Sequence, residues 1–155
     1  MKKIDSLNQV AEFHRTFDAP ILENPQIPSK ERCELRVSLL QEELNELKQA
    51  IEDNDLVEIA DALCDLQYVL SGAVLEFGLG EKFVELFNEV QRSNMSKACD
   101  TELQAQETVE HYKAKGEEAF YEKSGDKFNV HRISDNKVLK NKYYSAADLK
   151  SIIEK

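Results

Sequence analysis

The chain has 155 residues, with 30 Asp or Glu against 20 Lys or Arg and a formal charge of −10. That length fits one domain able to bury roughly two-thirds of the surface its unfolded chain exposes. The charge has the wrong sign for gripping a phosphate backbone by counterion release, so duplex nucleic acid is not an expected partner, and a negative protein that handles a negative ligand needs cations to mediate.

The opening stretch, MKKIDSLNQVAEFH, has no apolar segment of about 7 residues after its lysines and does not read as a secretory signal. No apolar run approaches the roughly 18 residues of a membrane helix, so a soluble, cytoplasmic chain is expected. Leu7, Val10, Ala11, His14 and Phe17 recur at helical spacing and predict a first helix over about residues 4–18. Pro20, Pro25 and Pro28 stop it. Ser29 then caps a long second helix reaching about Asp53, and the seam Cys33, Val37, Leu40, Leu44, Leu47 and Ile51 alternates steps of four and three. Asp53-Asn54-Asp55 makes a tight connection, and a third helix runs to about Phe77 with Gly78 as its C-cap.

A fourth helix is expected over about residues 81–97 and a more polar fifth over 101–116. Tyr121 to Lys140 reads as a β-hairpin of KFNVHRI and KVLK joined by Ser134-Asp135-Asn136, and Ser145 as the cap of a short last helix. The expected architecture is mainly α, an antiparallel helical bundle over residues 1–98 with a C-terminal extension over 99–155. Cys33, Cys64 and Cys99 form no C-x-x-C pair and read as reduced, buried thiols.

Carboxylates stand out on helices two and three. From Ile59 to Leu75 the sequence IADALCDLQYVLSGAVL is apolar nearly all round, so the helix is expected to be buried on most faces. Asp61 and Asp65, one turn apart, then become interior carboxylates, with Glu58 a turn earlier on the same side. Unpaired buried acids are unstable, and no Lys or Arg lies between Lys48 and Lys82 to pair with them. Glu42, Glu43 and Glu46 supply the facing half at a comparable distance from the turn. An all-oxygen set of this kind suits Mg2+ or Mn2+ over zinc or copper. A di-iron bundle would want Glu-x-x-His, and none of His14, His111 and His131 has a glutamate three residues before it.

EELNE at 42–46 followed by EIAD at 58–61 resembles the E-E-x-x-E and E-x-x-D signature of the all-α nucleoside-triphosphate pyrophosphohydrolases, which include MazG-like enzymes, dimeric dUTPases and phosphoribosyl-ATP pyrophosphohydrolase. The resemblance covers about residues 4–98. It implies metal held by Glu43, Glu46, Glu58 and Asp61, with Glu42 a further ligand or the base and Asp65 one turn beyond the core signature. It also implies substrate contacts from Asn94 and Lys97 in EVQRSNMSK, and from His14 in FHRTFDAPI. The implied reaction is Mg2+-dependent hydrolysis of a nucleoside triphosphate between its α and β phosphates, with Glu42 or Glu46 accepting the proton of the attacking water. The same step on phosphoribosyl-ATP is the enzymatic alternative. A metal-stabilised helical oligomerisation module without turnover is the non-enzymatic one. Apolar residues on several helix faces, and the resemblance, both point to a homodimer or homotetramer.

Overall fold

A computed structural model describes residues 4–155; the start of the expected first domain, residues 1–3, lies outside them. The chain divides into two compact units, one ending at Phe83 and the other running Val84–Lys155. That division comes earlier than the expected boundary at 98/99, and it groups the fourth helix with the C-terminal residues.

The first unit is built on three helices, α1 (Ser6–Thr16), α2 (Lys30–Glu52) and α3 (Leu56–Glu76). Ser29 caps α2 by accepting from the Arg32 amide at 3.4 Å. At the other end Asn54 takes a left-handed φ of 55°. This lets the Asn54 and Asp55 amides bond back to the Ile51 and Ala50 carbonyls at 3.2 and 3.0 Å, a Schellman closure. Asp55 then caps α3, accepting from the Val57 and Glu58 amides at 2.9 and 3.2 Å. With both ends closed inside so few residues, α2 and α3 fold back as an antiparallel pair, and α1 packs against α3.

The proline-rich segment after α1 is pinned to the end of α3. The Leu22 amide donates to the Leu75 carbonyl at 3.0 Å and the Gln26 amide to the Phe77 carbonyl at 3.1 Å, satisfying groups a helix end would otherwise orphan. Gly78 is required there twice over. Its φ is +68°, and a Cβ would stand 1.9 Å from the Asn24 carbonyl oxygen. Val10, Ala11 and Leu75, with Ile21 laid over them, form the small apolar core of this unit.

In the second unit, α4 (Phe83–Met95) and α5 (Glu102–Lys113, capped by Thr101) precede an antiparallel hairpin of β1 (Ala119–Ser124) and β2 (Lys127–Arg132). The expected hairpin is therefore corrected. KFNVHR is the second strand, paired with AFYEKS across Gly125-Asp126, and KVLK contributes only a single bridge, Val138 to His131. The reason is local: Gly125 supplies the positive φ, 62°, that a two-residue hairpin turn needs at its first position. The core gathers Cys99, Ala105, Val130 and Leu139. Buried Asn141 ties the tail down, its amide nitrogen donating to the Ala98 carbonyl at 3.1 Å and its side-chain oxygen accepting from the Tyr143 amide at 3.0 Å. The last helix, α6 (Leu149–Ile153), is capped by Asp148 and not by Ser145.

Two further expectations are corrected. Cys64 is exposed and Cys33 half-buried, leaving only Cys99 buried; all three are free thiols. The third helix is not covered all round: Leu56 and Val57 are 77% and 75% exposed, and Leu63 and Leu70 are open as well. One partner on each of two sides cannot enclose a helix that is apolar on every face. Among the described residues no single helix is long and apolar enough to cross a membrane.

Candidate metal centre

The register of the α2/α3 pair is fixed at the end away from the turn. Arg32 and Arg36 both reach the carboxylate of Glu76, with Arg32 Nε donating at 3.1 Å. Gly72 leaves room for the Arg36 guanidinium, whose Nη1 would be 2.7 Å from a Cβ at that position. Each step toward the turn moves one turn down both helices. Continuing it sets Glu43 opposite Asp65, with Asp61 and Glu46 a turn nearer the connection and Glu58 beside Ala50.

The electrostatics agree with that register. Burial pushes the Glu43 carboxyl up from its ordinary value, and the charges of Glu46, Asp65, Glu42 and Asp61 push it further in the same direction. Glu43 and Asp65 are half-buried, whereas Glu42, Glu46, Glu58 and Asp61 are exposed. Asp61 as an interior carboxylate is thus corrected, because α2 covers only one stripe of α3. None of the six makes an ion pair with a described residue, and Lys48, the nearest base in sequence, pairs with Glu52 at 4.0 Å.

The donor set fits a hard divalent cation by its chemistry, being all oxygen and without a basic partner among the described residues. Its side chains stand apart, since no three His, Cys, Asp or Glu among the described residues are grouped to hold an ion. Glutamates have three torsions with which to converge.

His14, Asn94 and Lys97 are the remaining expected site residues. His14 is in the core, its Nδ1 2.8 Å from the Pro20 carbonyl oxygen and its Nε2 3.5 Å from Arg36 Nη2. Asn94 and Lys97 are brought together in the second unit, Lys97 Nζ donating to Asn94 Oδ1 at 2.8 Å. Sequence reasoning missed the buried network of Arg32, Arg36, Glu76 and His14. A signal was available in two arginines four residues apart on α2 and one glutamate closing an otherwise apolar α3. Burial pushes the Glu76 carboxyl up, but hydrogen bonds and charge from the two guanidiniums outweigh it and hold it below its ordinary value.

A family model described as phosphoribosyl-ATP pyrophosphohydrolase matches residues 10–94, more than half of the chain and all six carboxylates. An uncharacterized protein of Acanthamoeba polyphaga mimivirus is 24% identical over an alignment of 249 residues, covering 99% of this chain and 97% of that protein.

Proposed function

The chain belongs to the phosphoribosyl-ATP pyrophosphohydrolase family, which carries pyrophosphohydrolase activity in general, and from that premise we propose that it hydrolyses a nucleoside triphosphate between the α and β phosphates, with Mg2+, as a nucleotide-pool house-cleaning enzyme. The observation that carries the reading is the acidic end of the α2/α3 seam, where no described base pairs with the carboxylates and Glu43 is loaded by four neighbouring ones. Glu43, Glu46, Glu58, Asp61 and Asp65 would hold Mg2+ or Mn2+. When bound, the ion would offset the repulsion between these acids and the substrate's phosphates and favour charge building on the departing pyrophosphate.

The chain's own part is to position and to move a proton. Glu42 and Glu46, both exposed at this end of α2, are free to accept the proton of the attacking water, and α3 fixes Asp61 and Asp65 one turn apart. A negative site selects for a substrate that arrives with its cation, because a bare triphosphate is repelled.

Exposed apolar residues on both helices fit the same reading. Val37, Leu44 and Ile51 on α2, and Leu56, Leu63 and Leu70 on α3, form two exposed stripes with seven-residue spacing. Stripes of that period pack against another helix pair, and a second copy supplies one in a homodimer or homotetramer. Pyrophosphate release from a panel of canonical and modified nucleoside triphosphates and phosphoribosyl-ATP, with and without Mg2+, tests the function. Turnover of triphosphates alone supports house-cleaning, and turnover of phosphoribosyl-ATP alone replaces it with the sister reaction. Mg2+ raising the melting temperature with no turnover on any substrate contradicts both.

A further inference from the structure

One cavity of the first unit is not lined by the carboxylates. It has a volume of about 660 Å3 and lies between α1, residues 19–23 and the end of α3. Leu7, Ala11, Ile21, Leu22 and Leu75 give it an apolar floor. Counted along α3, Leu75 on its floor is ten residues, or about 15 Å, beyond Asp65. The size is that of a small-molecule site.

Three charges line this cavity: Arg15, Glu23 and Glu81. None of their side chains, all exposed, makes an ion pair or hydrogen bond with a described residue, so opposite charges border one space without pairing. Arg15 is set apart from the other described bases of this unit. Lys30 and Lys48 pair with glutamates one turn on, Arg32 and Arg36 are committed to Glu76, and Lys82 has an interaction of its own. One cation against two carboxylates repels a phosphate group, which rules out the cavity as an extension of the polyphosphate site.

We propose that this cavity is a second ligand site, separate from the carboxylates, that takes a free α-amino acid with an apolar side chain. Arg15 would receive the α-carboxylate in a two-pronged hydrogen bond, Glu23 and Glu81 the ammonium group, and the floor the side chain. Such a ligand bridges charges that the protein leaves apart, and its net charge of zero adds no repulsion. Binding would brace residues 19–23 against α3, which already meet through the Leu22 amide and the Leu75 carbonyl at 3.0 Å.

Titration calorimetry of the full chain with L-leucine, and with leucinamide and N-acetyl-leucine as probes lacking one charge each, tests the site. L-leucine binds with a Kd of about 1 mM or tighter, and each blocked probe is weaker by roughly tenfold. Arg15→Ala, at an exposed side chain, weakens L-leucine to the same extent while Glu46→Gln leaves its binding unchanged. The proposal is overturned if no apolar amino acid binds, if Arg15→Ala binds like wild type, or if Glu46→Gln abolishes binding and so places the ligand at the carboxylates.

Discussion

The two ends of the α2/α3 seam handle buried charge in opposite ways. Away from the turn, two arginines converge on one carboxylate, and Glu76 is 1% exposed because its charge is answered within the protein. Near the turn, Glu43 feels the charges of Glu46, Asp65, Glu42 and Asp61, with no described base among them. The contrast extends to the whole chain: up to Phe83 there are 17 acidic and 8 basic residues, and after it 13 and 12. Nearly all the excess negative charge therefore sits in the unit that carries the cluster. One end of the seam is a finished structural element, and the other carries like charges that no described base answers.

Breaking the finished end has the largest expected effect. Glu76→Gln leaves Arg36 buried and uncompensated and lowers stability by about 3–5 kcal/mol in urea denaturation. A loss below about 1 kcal/mol would remove the distinction between the ends. At the acidic end Glu46→Gln does the reverse. Turnover at saturating Mg2+ falls by about a hundredfold, about 2.7 kcal/mol in the barrier, while the melting temperature measured in EDTA stays level or rises because a like charge has gone. Normal turnover in this variant would take Glu46 out of the mechanism. Gly72→Ala sharpens the comparison from the side of packing: the new methyl meets the Arg36 guanidinium and His14, and stability drops by about 1–3 kcal/mol.

The smallest effect concerns an ion pair at the surface. Hydrogen bonds from Arg92 and from the Asp148 amide pull the Glu89 carboxyl down to about 2. A depressed carboxylate contributes stability above its unfolded pKa and loses it as pH falls through the folded value. The second unit should therefore lose a small increment between the ordinary glutamate range and pH 2, and Glu89→Gln should flatten that part of the stability curve. Because Arg92 is 46% exposed and solvent screens the pair, the increment stays well below that of Glu76.

Much of this was legible in the chain itself. Ser29, Asn54 and Gly78 mark helix ends through capping chemistry that acts over a few residues, so α2, α3 and their hairpin follow from local sequence. The carboxylates follow from the same helices. What was not legible depends on partners distant in sequence. Glu76 meets Arg32 and Arg36 only because the hairpin closes, and His14 is turned inward by the Pro20 carbonyl and Arg36, where periodicity gave only its helix face. The strand pairing went to Gly125 because one backbone torsion outweighed the more polar Ser-Asp-Asn turn. The depth of Asp61 was misjudged for another reason. Apolar composition states what a helix can bury, and the number of neighbouring helices decides what it does bury.

The central claim is that the acidic end of the seam takes a divalent cation, and titration of the full chain with Mn2+ tests it most directly, in wild type, Glu43→Gln, Asp65→Asn and, as a control remote in sequence, Glu89→Gln. Saturable binding is predicted in wild type and in Glu89→Gln, weakened by at least about tenfold, or about 1.4 kcal/mol, in each of the other two. Wild type that takes up no Mn2+, or Glu43→Gln and Asp65→Asn variants that bind it as tightly as wild type, would contradict the claim.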